Sequence, residues 1–330
     1  METRLLGRTL RAVSVVGQGC WQFGGDWGNV SDDDARAVLH AAADAGVTFF
    51  DTADVYGDGR SESLIGRFLR ERPGSGITVA TKMGRRADPH VADAYTLDAF
   101  RAWTDRSRAN LGVDTLDLVQ LHCPPTAVYG IDRVFDDLDT LVDEGVTAAY
   151  GVSVEKVEEA LAAIARPNVA TVQIILNAFR LKPLEEVLPA AREAGVGIIA
   201  RVPLASGLLT GRYTPETTFA ENDHRSFNRN GEAFDVGETF SCVDFETGVR
   251  AAAEFASVAR LLVPQATTAQ VALAWAAAQD GVSSVIPGAR NPEQARANAA
   301  AGSLELPAEL DDAVRTIYDR DLRASIHPRW

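Results

Sequence analysis

The sequence predicts a (β/α)8 barrel, the TIM-barrel fold, built as one domain over residues 1–330. Two observations lead to this prediction. Short apolar segments rich in β-branched residues alternate with helical patterns about eight times along the chain, and such segments suit a parallel sheet whose outer face is covered by helices. The glycines of GQGCWQFGG, after the first segment, lack the spacing of a dinucleotide-binding turn, which disfavours an open doubly wound sheet.

The predicted elements begin with an N-terminal β-hairpin around Gly7 and Arg8 and a strand that ends near Gly19. Ser31 is a suitable N-cap for the first helix, and Gly46 ends it. The barrel strands are predicted at residues 13–18, 47–50, 77–81, 116–121, 148–152, 169–175, 196–202 and 282–286. Helical patterns lie near 61–72, 96–110, 131–144, 154–166, 183–194 and 247–280.

One connection is much longer than the others. Residues 208–246, after the seventh barrel strand, contain many polar residues and little periodicity. A connection of this length in a compact domain is usually a lid or a binding loop, so we expect it to fold over the mouth of the barrel. The tail after Pro307 is predicted to begin with a helix and to end as an extended segment that contains His327 and Trp330.

Charge and composition disfavour several classes of function. The formal net charge is −14, whereas general binding to nucleic acid or to an anionic membrane needs a basic surface. No apolar stretch reaches the ~20 residues of a membrane span. The three scattered cysteines, Cys20, Cys123 and Cys242, indicate reduced thiols in a cytoplasmic protein. A small molecule is therefore the expected partner, and the oligomeric state stays open.

Three predicted strands end on a titratable residue. Asp51 follows VTFF, Lys82 follows ITVAT and His122 follows LDLVQL, while Tyr56 lies on the loop after Asp51. In an α/β barrel the carboxyl ends of the strands carry the active site, so we expect these four side chains to meet at one rim. Each of them alone also has an ordinary structural interpretation, and only their combination points to catalysis.

The four side chains suit hydride transfer to a carbonyl. A phenol with a pKa of ~10 keeps its proton at neutral pH, and a nearby ammonium lowers that pKa and makes the phenol a better acid. We therefore assign Tyr56 as general acid, Lys82 as the group that tunes it, and Asp51 as the counter-ion of Lys82. A neutral His122 would orient the substrate oxygen by a hydrogen bond.

The segments FFDTADVYGDGRSESLIGRFL, TKMG and LVQLHCPP resemble the signatures of the aldo-keto reductase family over almost the whole chain. The resemblance implies that Asp51, Tyr56, Lys82 and His122 are a catalytic tetrad, that the cofactor is NADPH and that the fold is a (β/α)8 barrel. It also implies contacts of Ser153 and Gln173 with the nicotinamide carboxamide, and a pyrophosphate-side loop that contains Leu204 and Ser206. Val154 stands where the family often has Asn.

Two further regions are expected to contact the cofactor. Arg201 occupies the position where many family members stack an aromatic ring on the nicotinamide, and a planar guanidinium can also stack. The turn VIPGARNP leads into a helix that Asn291 would cap and Pro292 would begin, a geometry that favours phosphate binding. The residues assigned to this adenosine-phosphate end are Gly288, Arg290 for the 2′-phosphate, Gln294 and Asn298.

The substrate pocket is expected to include Trp21 and Trp27, together with Phe23, from the first loop. The leading hypothesis is an NADPH-dependent reductase of aldehydes or ketones. The same site could act in reverse as a sugar or alcohol dehydrogenase, or the chain could be a nucleotide-sensing regulatory subunit with little catalysis. A metal-dependent hydrolase is disfavoured because no second histidine stands at a strand end, so no metal is expected.

Overall fold

A computed structural model describes residues 1–25 and 30–330, and its centre is a sheet of eight parallel strands. Each strand pairs with the next one along the chain. The first and last strands meet through parallel bridges from Val16 to Val285 and from Gly19 to Gly288, which close the sheet. The predicted (β/α)8 barrel is thus confirmed. Its strands are β3 (Gln18–Gly19), β4 (Phe49–Asp51), β5 (Thr78–Met83), β6 (Leu118–His122), β7 (Tyr150–Ser153), β8 (Val169–Ile175), β9 (Gly197–Arg201) and β10 (Val282–Val285).

The N-terminal hairpin closes the lower end of the barrel. It consists of β1 (Thr3–Leu5) and β2 (Ala12–Ser14), which pair antiparallel. Gly7, in the turn, lies against the backbone of Ala170 and Gly197, near the amino ends of two barrel strands. A Cβ atom at residue 7 would come within 2.1 Å of the Gly197 nitrogen, so only glycine allows this close contact.

Side chains inside the barrel form an apolar layer below a polar one. The apolar layer is a buried cluster of Leu6, Val13, Phe49, Ala80, Leu118, Ile199 and Ile286. Asp51, Lys82 and Gln120 each lie two residues after a member of that cluster on the same strand, and all three are buried. Because alternate side chains of a strand point to the same face, the polar layer stands directly above the apolar one, at the carboxyl ends of the strands.

Helices cover the outside of the sheet. Ser31 caps the first of them through a bond from the Asp34 amide, as predicted. The helical pattern predicted at 247–280 is in fact two helices, which separate near Pro264 because Thr267 begins a new helix with its own cap. The main helices are α1 (Asp32–Asp44), α2 (Arg60–Glu71), α3 (Leu97–Leu111), α4 (Asp132–Asp143), α5 (Val157–Ile164), α6 (Val187–Ala194), α8 (Phe245–Leu262), α9 (Thr268–Ala278), α10 (Pro292–Ala300) and α11 (Glu309–Asp321), with the one-turn helices α7 (His224–Phe227) and α12 (Arg323–Ile326).

The long loop after β9 folds over the barrel mouth, as predicted. It is ordered by aromatic contacts among Tyr213, Phe219, Phe240 and Phe245, whose ring centroids lie 5.1–6.5 Å apart. Apart from α7, the regular structure of this loop consists of short helical turns. We refer to residues 205–244 as the mouth loop.

The prediction of an extended C-terminal end was wrong. Residues 323–329 form α12 and a further helical turn. The Tyr318 hydroxyl bonds the His327 ring at 2.9 Å, and the Arg180 guanidinium lies 3.9 Å from the centre of the Trp330 ring. These contacts fold the tail back onto the barrel. Across the described ranges 1–25 and 30–330, none of the helices combines the length and apolar character that a bilayer crossing requires.

Candidate active site

The strand register brings the predicted catalytic side chains to one rim of the barrel. Asp51 ends β4, Lys82 is the penultimate residue of β5, and His122 ends β6. Asp51 is paired with Ala80, and Lys82 with Gln120. In a parallel sheet these pairings place the three side chains at the same edge, and Tyr56 reaches it from the loop that follows β4.

Lys82 is the centre of the buried polar layer. Its Nζ donates to Asp51 Oδ1 at 2.5 Å, to the Thr52 carbonyl at 2.9 Å and to the Tyr56 hydroxyl at 3.4 Å. Burial by itself would lower the pKa of the Lys82 ammonium, but the Asp51 carboxylate and Tyr56 outweigh it and raise the pKa above its ordinary value. Lys82 is therefore a charged ammonium within the barrel.

Asp51 is held by two amides as well as by Lys82. Gln173 Nε2 donates to Asp51 Oδ2 at 2.7 Å, and Gln120 Nε2 lies 3.3 Å from the same oxygen. These bonds satisfy a carboxylate that is only 2 % exposed. The sequence prediction did not include Gln120. The signal was present, since Gln120 precedes His122 by two residues and so faces the same side of β6.

The Tyr56 hydroxyl points to Lys82 and stays protonated. Burial raises the pKa of Tyr56 to about 12, although Lys82 acts in the opposite direction. The predicted effect of Lys82 has the right sign, but the expectation of a lowered pKa was wrong because desolvation outweighs it. A phenol with this pKa retains its proton throughout the physiological range, which a proton donor requires.

His122 stands beside Tyr56 as a neutral imidazole. The two rings meet edge to face, with centroids 5.9 Å apart and an interplanar angle of 87°. Burial lowers the pKa of His122 well below its usual value, and the charges of Arg85, Lys82 and Arg201 lower it further. His122 Nδ1 is buried and has no hydrogen-bond partner in the described part of the chain. A neutral ring can donate one hydrogen bond to a substrate oxygen without bringing another charge.

These groups open into a cavity of about 610 Å³. Tyr56 and His122 line one end of it, and the first turn of α10 lines the other. This volume is typical of a cleft for a small-molecule ligand or cofactor. All of the residues predicted to bind the cofactor lie on its wall: Ser153, Gln173, Arg201, Leu204, Ser206, Gly288, Arg290, Gln294 and Asn298.

The far end of the cavity has the geometry of an anion site. Asn291 caps α10 by accepting from the Gln294 amide, and Pro292 is the first helical residue, as predicted. The Gln294 side chain accepts from the Arg290 amide at 2.8 Å, and Asn298 Nδ2 donates to the Gly288 carbonyl at 3.1 Å. These two side chains therefore hold the turn that precedes the helix, and the turn places Arg290 at the helix N-terminus.

Arg201 and Ser206 connect the barrel to the mouth loop. Arg201 is ion-paired with Glu238 and donates to the Val154 carbonyl at 2.9 Å. The Ser206 hydroxyl donates to the Glu238 carbonyl at 2.9 Å and accepts from the Phe240 amide at 3.0 Å. Arg201, at the end of β9, and Ser206, at the start of the mouth loop, thus hold residues 238–240 of that loop. The ion pair with Glu238 fixes the position of the Arg201 guanidinium on the cavity wall.

Trp21, predicted to contact the substrate, lines the cavity beside Tyr56. Its ring lies 6.2 Å from Tyr56, 4.9 Å from His224 and 5.9 Å from Phe234, measured between centroids. The prediction for Phe23 was wrong, because that side chain is fully buried in the outer hydrophobic core. Trp27, the other predicted substrate contact, lies outside the described residues.

Sequence reasoning missed the parts of the wall that come from the mouth loop and from the turn after β5. Phe234 and Glu238 belong to the mouth loop, and no periodicity marks them as wall residues. Arg85 follows Lys82 by three residues and lines the cavity with Tyr56 and His122. The polar sequence GRRADP gave no sign that the Arg85 guanidinium lines the cavity.

Comparison with known proteins places the chain in a family. The model of the Aldo/keto reductase family matches residues 15–319, so the chain belongs to this family, whose members are NADP-dependent oxidoreductases. It is 34% identical to aldo-keto reductase str7 of Strobilurus tenacellus over 97% of this chain and 92% of that protein. It is 29% identical to the oxidoreductase YqkF of Bacillus subtilis over 98% of both chains.

A solved structure of similar sequence supports the same assignment. The glycerol dehydrogenase AKR11B4 of Gluconobacter oxydans superposes with a TM-score of 0.80 at 30% identity, covering 99% of this chain and 98% of its own. The aldo-keto reductase AKR11C1 of Bacillus halodurans superposes with a TM-score of 0.76 at 25% identity, over 96% of both chains. The closed barrel thus matches the fold of solved members of this enzyme family.

Proposed function

We propose that this chain is an NADPH-dependent reductase of aldehydes or ketones, in which Tyr56 donates the proton to the carbonyl oxygen. The observation that carries the proposal is a chain of hydrogen bonds beside the neutral ring of His122. Lys82 Nζ donates to Asp51 Oδ1 at 2.5 Å and to the Tyr56 hydroxyl at 3.4 Å. These are the groups that a developing alkoxide requires: a protonated acid, a cation that stabilises the resulting phenolate, and a neutral hydrogen-bond donor.

Each side chain has a defined role in this proposal. Tyr56 transfers its proton to the substrate oxygen, and Lys82 stabilises the negative charge that remains on the phenol. Asp51 keeps Lys82 charged and in place, while Gln120 orients Asp51. His122 donates a hydrogen bond that positions the carbonyl. NADPH, when bound, supplies the hydride.

The residues of the cavity wall suit a nicotinamide dinucleotide. Ser153 and the carbonyl oxygen of Gln173 would face the carboxamide, because the Gln173 amide nitrogen is already bonded to Asp51. Leu204 and Ser206 also line the cavity. The α10 N-terminus and Arg290 offer backbone amides and a cation to a phosphate group. A related protein of Schizosaccharomyces pombe, 29% identical, is named an aldo-keto reductase with NADP(+), which supports the same choice.

An absorbance assay at 340 nm tests the proposal. The protein is mixed with NADPH and a panel of aromatic and aliphatic aldehydes, with and without EDTA. We expect aldehyde-dependent loss of absorbance that the chelator does not change. Nucleotide binding without turnover would favour a regulatory subunit instead, and activity lost on chelation would favour metal-dependent chemistry.

Oxidation of a sugar or an alcohol is the second candidate. Related proteins 35% and 33% identical over part of this chain are named D-threo-aldose 1-dehydrogenase and L-galactose dehydrogenase. Oxidation needs the phenolate of Tyr56 as base, whereas reduction needs the phenol as acid. Burial raises the pKa of Tyr56 to about 12. The phenol that reduction needs is therefore present at neutral pH, whereas the phenolate that oxidation needs forms only as the pH rises.

Rate profiles over pH distinguish the two directions. We expect kcat/KM for alcohol oxidation with NADP⁺ to rise about tenfold per pH unit between pH 7 and 9, since one proton must leave a group whose pKa is far above this range. Over the same interval kcat/KM for aldehyde reduction should stay nearly constant. An oxidation rate independent of pH would show that Tyr56 is not the group that titrates.

A further inference from the structure

Arg85 presents its guanidinium to the end of the cavity that contains Tyr56 and His122. It follows β5 and lines the cavity next to Tyr56 and His122. Its guanidinium carbon lies 5.6 Å from the centre of the Phe234 ring. Within residues 1–25 and 30–330, the Arg85 side chain makes no hydrogen bond and no ion pair. A ring that supports one face of a guanidinium leaves its edge of N–H donors available to a ligand.

Neighbouring arginines are engaged differently. Arg86, the next residue, donates to Asp58 at 2.7 Å and lies 3.6 Å from Asp54. Arg201, on the same cavity wall as Arg85, is ion-paired with Glu238 and bonded to the Val154 carbonyl. A partly buried guanidinium normally has an anionic partner, because removing its charge from water is costly. Arg85 is therefore placed as a ligand-binding group would be.

Against the effect of burial, the acidic side chains of Glu238 and Glu155 both raise the pKa of Arg85, but within the described ranges neither forms an ion pair with it. Glu238 is engaged by Arg201. The Glu155 carboxyl is grouped with Glu238 and the Cys123 thiol, with their polar atoms within 4.8 Å of one another, and no oxygen of Glu155 comes within ion-pair distance of Arg85. Burial raises the pKa of Glu155 to about 7, so a large fraction of it is uncharged at neutral pH.

Arg85 also acts on the catalytic rim. After burial, its charge is the largest influence that lowers the pKa of His122, ahead of that of Lys82. Because Arg85, Tyr56 and His122 line the same cavity, one small molecule can contact both Arg85 and the rim. The walls between them are aromatic, from Trp21 and Phe234.

We propose that Arg85 binds a carboxylate on the substrate, so that the preferred substrates are aldehydes or ketones that carry a carboxylate group on the side away from the reacting carbonyl. This inference rests on the proposed reductase function and defines its substrate class. A planar carboxylate matches the paired N–H donors of a guanidinium. The binding step leaves the reaction unchanged, and the carboxylate remains intact in the product alcohol.

A matched pair of substrates tests the assignment. 4-Formylbenzoate and its methyl ester have the same ring and the same reacting aldehyde, and they differ in the charge at the far end. Steady-state oxidation of NADPH gives kcat/KM for each, and the measured quantity is the ratio of carboxylate to ester. The ratio is determined for the wild type, for Arg85→Met, for Arg85→Lys and for Arg260→Met. Arg260 is an exposed arginine on α8 that donates to the Ser257 hydroxyl at 3.2 Å, so its variant controls for the loss of one positive charge.

In the wild type we expect the carboxylate to be preferred by about tenfold or more, the range for a hydrogen-bonded charge pair. Arg85→Met should lower the ratio by at least about fivefold, and Arg85→Lys should retain part of the preference because it keeps the charge. Arg260→Met should keep the wild-type ratio. The inference is overturned if the wild-type ratio is near one, or if Arg85→Met lowers it by less than about fivefold.

The two levels of the proposal fail in different ways. If neither aldehyde is reduced by the wild-type protein, the proposed reductase function itself is wrong. If the ester is reduced as well as the carboxylate, the reductase function stands and the role of Arg85 is wrong. If Arg85→Met does not fold, the carboxylate-to-ester ratios of the wild type and of Arg85→Lys still test the role of Arg85. Both proteins keep a cation at this position, so both are expected to prefer the carboxylate.

Discussion

The two walls of the cavity are built in different ways. One wall consists of strand ends, where Asp51, Lys82 and Gln120 are fully enclosed and bonded to one another. The other is the mouth loop, where Glu238 and Phe234 reach the cavity from a segment with few regular elements. The first wall is fixed by the register of the sheet, while the second depends on a few side-chain contacts. We therefore expect substitutions in the first wall to reduce catalysis strongly, with a large loss of stability where they break the buried ion pair, and those in the second wall to have smaller effects on binding and stability.

The largest effect should follow from Tyr56→Phe. The substitution keeps the ring and removes the hydroxyl that stands 3.4 Å from Lys82. We expect kcat for aldehyde reduction to fall by about a thousandfold, within the range for loss of a positioned general acid. The dissociation constant for NADPH, measured by quenching of tryptophan fluorescence, should change by less than about threefold, because Tyr56 contributes no charge to the nucleotide. A variant that retains turnover would remove Tyr56 from the mechanism.

Lys82→Met should affect both catalysis and stability. The change leaves Asp51 buried without its cation, and breaking such a pair costs about 3–5 kcal/mol of unfolding free energy. It also removes the charge that stabilises the phenolate, so kcat should fall by about a hundredfold. Urea denaturation and the 340 nm assay measure the two quantities. Lys156→Met is the control, because Lys156 forms an exposed pair with Glu158 at 3.7 Å. Equal stability losses in both variants would contradict a central role for the buried pair.

The choice of nucleotide should depend on Arg290. We propose that its guanidinium binds the 2′-phosphate, and loss of such a charged hydrogen bond weakens binding by about tenfold or more. Arg290→Ala should therefore raise the dissociation constant for NADPH and leave that for NADH nearly the same. Arg296→Ala tests the same helix without the proposed contact, since Arg296 is exposed and lies 4.0 Å from Glu293. A parallel loss of affinity for both nucleotides would assign Arg290 a general role in the fold.

The smallest effect should come from the mouth loop. Glu238→Gln keeps the shape of the side chain and removes the charge that pairs with Arg201. We expect the free energy of unfolding to fall by about 1–2 kcal/mol, less than for Lys82→Met because Gln still accepts a hydrogen bond from the buried guanidinium, together with faster proteolysis within residues 214–235. Glu216→Gln, in the same loop but exposed, should change neither. If Glu238→Gln leaves the rate of cleavage unchanged, the Arg201 pair does not hold the loop.

The difference between the strand-end wall and the mouth loop also explains how much of the structure the sequence predicts. The barrel follows from β-branched segments at regular intervals, and a catalytic residue at the end of a strand inherits its position from the strand. The turn before α10 was also predictable, because Asn291 and Pro292 have strong local preferences for a helix start. These features depend on neighbours in the chain, so they can be read locally.

The features that sequence reasoning missed depend on distant contacts. The mouth loop is ordered by aromatic packing of Tyr213, Phe219, Phe240 and Phe245, which no local pattern specifies. The net effect on the pKa of Tyr56 depends on how deeply the folded chain buries it, and burial outweighs the neighbouring ammonium. The C-terminal turn is held by contacts with Tyr318 and Arg180. In each case the deciding partner comes from another part of the chain.

A crystal structure with NADP⁺ and 4-formylbenzoate tests the central claim most directly. The account predicts a nicotinamide beside the catalytic rim and the aldehyde oxygen within about 3.2 Å of both the Tyr56 hydroxyl and a ring nitrogen of His122. A complex in which the nucleotide occupies the cavity but the aldehyde oxygen lies beyond hydrogen-bond reach of Tyr56 would contradict it.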